Sequence, residues 1–279
     1  MTRPLISAAT LDDLLAAGGR TRVLDLRYYL GQPGRGKDEY RQGHIPGAVF
    51  VDLEDVFAAH PAAGGVGGRH PLPSLAALQD GLRAAGVNDG DSIVLADQGN
   101  QMGAARAWWV LRNIGLSDVH VLDGGLAAWQ AAGFPISTEV CEVRPGNITV
   151  GQEGQMPQVV PDDIPAVIAA GHQCVDVRAA ARFRGETEPI DPVAGHIPGA
   201  VNLPAEHLDA PVGLLPADQL AEVLADLRPG DVVSCGSGVT ASKVILAAEQ
   251  AGITGLRLYP GSWSDWISDP RRPVATGRA

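Results

Sequence analysis

The sequence predicts an α/β protein made of two tandem domains, each a mainly parallel five-stranded sheet with helices on both faces. Three observations point there. A long motif occurs twice, short apolar runs alternate with helical periodicity inside each copy, and 279 residues leave room for two cores of ordinary size.

The repeat comes first. Gly43-His44-Ile45-Pro46-Gly47-Ala48-Val49 recurs as Gly195-His196-Ile197-Pro198-Gly199-Ala200-Val201, an identity that marks an internal duplication. At nearly the same offset, Asp25-Leu26-Arg27 matches Asp176-Val177-Arg178, and Asp12-Asp13 matches Asp162-Asp163. Asp123-Gly124-Gly125-Leu126-Ala127-Ala128-Trp129 matches Pro260-Gly261-Ser262-Trp263-Ser264-Asp265-Trp266 at a shorter offset. The first half therefore holds extra residues between these landmarks, near positions 60–73. That stretch is rich in Gly, Ala and Pro and reads as a long surface loop, which in a compact domain is either functional or disordered.

Within the first half, apolar periodicity predicts helices over 11–17, 75–85 and 104–114, with counterparts over 164–170, 217–227 and 241–251. Short apolar runs at 23–26, 92–96 and 119–122 read as strands, matched by 173–177, 231–235 and 256–259. Strands alternating with helices imply βαβ crossovers, hence a parallel sheet covered on both faces. The stretch around Pro145-Gly146 and Gly151 to Gly154 has weaker periodicity. The expected division is a first domain at 1–137, a linker at 138–157 and a second domain at 158–279, near the usual domain size.

Composition narrows the function. Hydrophobic residues are 45% and charged residues 19%, with no apolar run long enough for a membrane span. The first residues place Asp12 and Asp13 where a secretory signal needs its apolar stretch, so a cytoplasmic location is expected. A net charge of −11 argues against nucleic acid as a partner, because neutralising phosphates needs a cationic face. Cys141, Cys174 and Cys235 are far apart, with no CxxC pair and no zinc-like spacing, so neither disulfides nor a metal is expected.

In parallel α/β sheets, ligands collect where a strand ends and the next helix begins. The second half offers the run from Asp231 through Ser234 into Cys235-Gly236-Ser237-Gly238-Val239-Thr240, then a helix. Gly236 and Gly238 let the backbone curl with its amides inward, and such a nest at a helix start stabilises an anion. Cys235 is thus expected to carry thiolate character at neutral pH and to act as the nucleophile. Cys174 lies inside a predicted buried strand and Cys141 in the linker, so both read as inert. At the equivalent point of the first half stands Asp97, a structural ion in its own nest of amides, which leaves the first domain without a nucleophile.

The Cys-Gly-Ser-Gly-Val-Thr loop, the two Gly-His-Ile-Pro-Gly-Ala blocks and the Gly-Ser-Trp-Ser-Asp-Trp run resemble the tandem-domain rhodanese-like sulfurtransferases, across nearly the whole chain. That family includes thiosulfate and 3-mercaptopyruvate sulfurtransferases. The resemblance implies a ping-pong cycle through a persulfide on Cys235, with no metal or organic cofactor and with a small-molecule donor. The acceptor would be cyanide or a thiol, a thioredoxin-like protein among the candidates. The amides of Gly236, Gly238, Val239 and Thr240 would cradle the outer sulfur, helped by the hydroxyls of Ser237 and Thr240.

A neutral loop of this kind goes, in the family, with 3-mercaptopyruvate, and a cationic one with thiosulfate. Arg182 matches a family arginine that holds the substrate carboxylate. The family's second arginine has no counterpart in 186–191, and Arg184 is the candidate substitute. Ser237 and His70 match two members of a Ser-His-Asp proton relay, with Glu54 where the aspartate stands. This role requires the loop that carries His70 to reach the second domain. His44 and His196, and the pairs Asp25-Arg27 and Asp176-Arg178, occur in both halves and read as structural. Trp263 and Trp266, like Leu126 and Trp129, read as core. A cysteine phosphatase is disfavoured, because Ala241 stands where its phosphate-binding arginine belongs. A partner-dependent persulfide carrier is the rival of a different class.

Overall fold

Each half of the chain builds its own sheet, and every strand pair in both is parallel. The structure, a computed structural model, describes residues 3–278. The first half runs β1 (Leu5–Ile6), α1 (Ala8–Ala16), β2 (Thr21–Asp25), α2 (Arg35–Gln42), β3 (Val49–Phe50) and α3 (Leu53–Val56). It continues with α4 (Leu75–Ala84), β4 (Ser92–Ala96), α5 (Met102–Asn113), β5 (Val119–Leu122) and α6 (Gly125–Ala131). Its five strands lie in the order β1-β5-β4-β2-β3.

The second half gives α7 (Ile164–Ala169), β6 (Cys174–Asp176), α8 (Ala180–Phe183), β7 (Val201–Asn202) and α9 (Ala217–Val223), then β8 (Val232–Ser234), α10 (Val239–Gln250), β9 (Arg257–Leu258) and α11 (Ser262–Trp266). Its sheet has four strands in the order β7-β6-β8-β9, one fewer than expected. The missing strand is reduced to a single parallel bridge, Gln158 to Leu258. Val159 donates to the Leu258 carbonyl at 2.9 Å, but the nearby Pro161 has no N–H with which to extend the pairing.

The central strands are apolar on both faces, as sheets covered on both sides require. Ile93, Val94, Leu95 and Ala96 are buried along β4, and Val232 and Val233 along β8. Helices α5 and α10 are correspondingly buried, α5 carrying Trp108 and Trp109 into the core. The more exposed helices start on capping side chains: Ser7 accepts from the Thr10 amide and Ser74 from the Ala77 amide. Trp263 and Trp266 sit in the second core with Phe183, Ile197 and Tyr259, and Trp129 with Leu126 in the first.

The duplicated motifs do the same structural work twice. Arg27 forks onto Asp25 and reaches the Gly43 carbonyl at 2.9 Å, while Arg178 forks onto Asp176 and reaches the Gly195 carbonyl at 2.6 Å. Each ion pair ties a strand end to the repeated turn. His44 stacks on Tyr40 and bonds its carbonyl, and His196 stacks on Phe183 and bonds the Phe183 carbonyl.

The compact units do not follow chain order. One comprises residues through Ala59, with Pro73–Met156 and Ala210–Leu214, and the other comprises His60–Leu72, Pro157–Asp209 and Leu215 onward. The expected boundaries assign His60–Leu72 and Ala210–Leu214 the other way. Most of the expected linker is fastened within the first unit: the Gly146 amide donates to the Arg83 carbonyl at 2.7 Å, and a Cβ at Gly146 would stand 1.9 Å from the Val87 carbonyl oxygen.

Candidate active site

Strand β8 delivers Cys235 to the mouth of a tight loop, and α10 begins at Val239. Gly238 caps that helix at φ +81°, a conformation that favours glycine, and its amide donates to Cys235 Sγ at 3.1 Å. Gly236 has no such backbone requirement. A Cβ there would stand 3.1 Å from Arg69 Nη2 and 3.8 Å from Arg182 Nη2, so this glycine makes room for two guanidinium groups.

The loop is braced from below by the start of α11. The Cys235 amide donates to Ser262 Oγ at 3.0 Å, and that hydroxyl donates to the Tyr259 carbonyl at 2.8 Å. Trp263 and Ser264 donate their amides to the carbonyls of Cys235 and Gly236. Ser262 is held at φ +52°, which is uncommon for a residue with a side chain and concentrates at functional sites. Trp263 is buried, its Nε1 donating to the Val193 carbonyl and its ring under Arg178, so it serves as core.

The extra loop of the first half belongs to this unit. Gly67 donates to Asp265 Oδ1 at 2.7 Å, the Arg69 amide donates to Ser264 Oγ at 3.0 Å, and a Cβ at Gly68 would lie 2.4 Å from the Gly261 carbonyl oxygen. So anchored, the segment places His70 Nδ1 at 2.7 Å from Ser237 Oγ, with both side chains buried. Cys235, two positions from Ser237, is itself only 3% exposed. Glu54 lies in α3 of the other unit, where it accepts from the Tyr28 hydroxyl at 3.2 Å. Val239 and Thr240 form the first turn of α10.

Arg182, at the end of α8, is held by Glu188 through Nε and Nη2 and touches Asp191 Oδ2 at 3.2 Å. Glu188 also accepts from Arg178 and from the amides of Ile190 and Asp191. Burial pushes the Glu188 carboxyl up, but the Arg182 hydrogen bonds, the Asp191 amide and the Arg182 charge outweigh it and hold the group below the usual carboxylate range. Arg184 turns instead to Glu186 in an exposed two-point pair. Sequence reasoning missed Arg69, whose Nη1 donates to Asp191 Oδ1 at 2.6 Å. The available signal was its position beside His70.

In the first half, Asp97 occupies the equivalent nest and accepts from the amides of Gly99, Gln101 and Ala104. A fixed carboxylate fills the place where the second loop presents sulfur.

A cavity of about 720 Å³ opens behind the extra loop, between Pro71, Val159, Pro260 and Arg272, and neither Cys235 nor Ser237 lines it. Among the described residues no helix is long and apolar enough to cross a membrane.

The rhodanese-like domain family model matches residues 7–132 and 161–269. A probable 3-mercaptopyruvate sulfurtransferase of Pseudomonas aeruginosa is 47% identical over 263 residues, covering 91% of this chain and 92% of the relative. A putative thiosulfate sulfurtransferase of Mycobacterium tuberculosis, SseB, is 44% identical over 284 residues, covering 99% of this chain and 98% of that protein. Among solved structures, SseA from Escherichia coli, a 3-mercaptopyruvate sulfotransferase with the rhodanese fold, matches with a TM-score of 0.81 at 33% identity, covering 94% of this chain and 99% of its own. With two family domains in tandem and relatives of matching length, this chain belongs to the tandem-domain rhodanese-like sulfurtransferase family.

Proposed function

We propose that the protein moves sulfur from 3-mercaptopyruvate to a thiol or cyanide through a persulfide on Cys235. The observation that carries the choice of donor is the bond between His70 Nδ1 and Ser237 Oγ beside the nucleophile. Thiosulfate delivers its outer sulfur without a proton. Mercaptopyruvate brings a thiol whose proton must leave sulfur and end on carbon, and a hydroxyl paired with an imidazole suits that task.

In the first half-reaction the Cys235 thiolate attacks the thiol sulfur of the donor. An S–S bond forms, the C–S bond breaks, and its electron pair passes to the methylene carbon. Ser237 and His70 relay the thiol proton to that carbon, so that pyruvate leaves and the persulfide anion remains. The Gly238 amide supports the sulfur at the helix start, with the amides of Gly236, Val239 and Thr240 available to the outer sulfur. Arg182 takes the donor carboxylate. In the second half-reaction the acceptor attacks the outer sulfur, and Cys235 returns as thiolate. A small thiol or a thioredoxin-like protein in the cytoplasm is the acceptor that fits this chemistry.

Steady-state transfer to cyanide from each donor, with Cys235→Ser beside the parent, tests the proposal. Mercaptopyruvate should win by more than tenfold, about 1.4 kcal/mol in transition-state binding, and the serine variant should be dead. A preference for thiosulfate would overturn the donor and leave the persulfide intact. Activity in the serine variant, or none in the parent with either donor, would overturn the enzyme reading in favour of a partner-dependent carrier.

A further inference from the structure

We infer that Arg69 is a donor-binding residue, forming with Arg182 a two-guanidinium clamp over Gly236 for the anionic end of the sulfur donor. The inference rests on the donor reading above, in which that anionic end is the carboxylate of an α-keto thiol.

The clamp is built from distant parts of the chain. Asp191 gives one carboxylate oxygen to each arginine, Oδ1 to Arg69 Nη1 at 2.6 Å and Oδ2 to Arg182 Nη2 at 3.2 Å. A buried carboxylate shared in this way sets two like charges side by side, which they would not adopt unaided. Both guanidinium groups then face the same spot. Arg69 Nη2 lies 3.1 Å, and Arg182 Nη2 and Nη1 lie 3.8 and 3.9 Å, from where a Cβ on Gly236 would stand.

The hydrogen-bonding inventory leaves donors unspent. A guanidinium has five N–H groups. Arg69 commits Nη1 to Asp191, whereas its Nε is buried and has no partner. A buried, unpartnered charged donor costs stability unless something accepts from it, and a bound anion is one such acceptor. The arrangement also accounts for the absence of an arginine in 186–191. Within that stretch Asp191 takes a cationic partner, Arg69, from the extra loop. The loop thus supplies both a proton-handling residue, His70, and an anion-binding neighbour, Arg69.

The test is Arg69→Met, with Arg69→Lys as the charge-retaining variant, assayed in two halves. Loading of Cys235 by 3-mercaptopyruvate reads donor binding. Discharge to cyanide of enzyme already charged with polysulfide reads the rest of the site. Losing a charge-assisted contact should raise KM for mercaptopyruvate about tenfold to a hundredfold, with lysine recovering part of it. Arg69→Met should also lose the parent's preference for mercaptopyruvate over its uncharged methyl ester. An unchanged KM, or a fall in loading and discharge together, would make Arg69 a structural residue and overturn the inference. If the parent prefers thiosulfate, the donor reading fails separately. Arg69 then stands as an anion clamp only if Arg69→Met raises KM for thiosulfate, and falls if it does not.

Discussion

His70 Nδ1 lies 2.7 Å from Ser237 Oγ, although 167 residues separate them in the chain. The bond joins a segment of the first sequence half to the nucleophile loop of the second. Removing it by His70→Gln or Ser237→Ala should slow transfer from mercaptopyruvate about a hundredfold. Transfer from thiosulfate, which needs no proton moved, should fall far less. Equal losses with both donors would show that the pair holds the loop in place and handles no proton.

Ser262 combines a left-handed backbone with a hydroxyl that accepts from the Cys235 amide. Alanine removes the acceptor and keeps the backbone cost, leaving a buried N–H unpaired at about 1–3 kcal/mol. Glycine also removes the hydroxyl but tolerates φ +52° without steric cost. Urea unfolding should therefore rank the parent above Ser262→Gly and that above Ser262→Ala, and an inverted order of the two variants would refute this reading.

Glu188 is the buried anchor of Arg182 and Arg178, and its folded-state pKa is depressed. The sign follows. Stability from such a group is fully present above the unfolded value, about 4.3, and is lost as pH falls through the lower folded value. Glu188→Gln should cost about 2 kcal/mol at neutral pH, and the gap to the parent should close in acid below that value. A gap that stays constant down to pH 2 would exclude Glu188 as the titrating group.

Cys174 is fully buried in β6, and burial, with the charge of Asp176 adding to it, pushes its thiol up to about 12. Essentially none of it is thiolate at neutral pH. Iodoacetamide should label exposed Cys141 in the native protein and reach Cys174 only in denaturant, as read by peptide mass. The persulfide mass increase should fall on the Cys235 peptide alone.

Legibility followed the length of the pattern. Strands β4 and β5 fall where the apolar runs place them, and α4, α5 and α10 begin within two residues of their expected starts. These elements are long or mostly buried, and burial writes itself into composition. The two-residue strands β1, β3 and β7 and the one-turn helices α3 and α8 escape notice because so few residues carry no periodicity. Helix α2, Arg-Gly-Lys-Asp-Glu-Tyr-Arg-Gln, shows too little apolar face to be read as one, and buries only Gly36 and Tyr40.

The site divides along the same line. Sequence alone determined the duplication, the two sheets, the strand-loop-helix that presents Cys235, and the inert carboxylate at Asp97, because each is a local arrangement of neighbouring residues. Tertiary structure decided that the extra loop packs with the second unit, that His70 meets Ser237, and that Arg69 and Arg182 share Asp191 above Gly236. The His70–Ser237 and Arg69–Asp191 contacts join residues more than a hundred positions apart, and no local propensity records which side chain folding will bring against which.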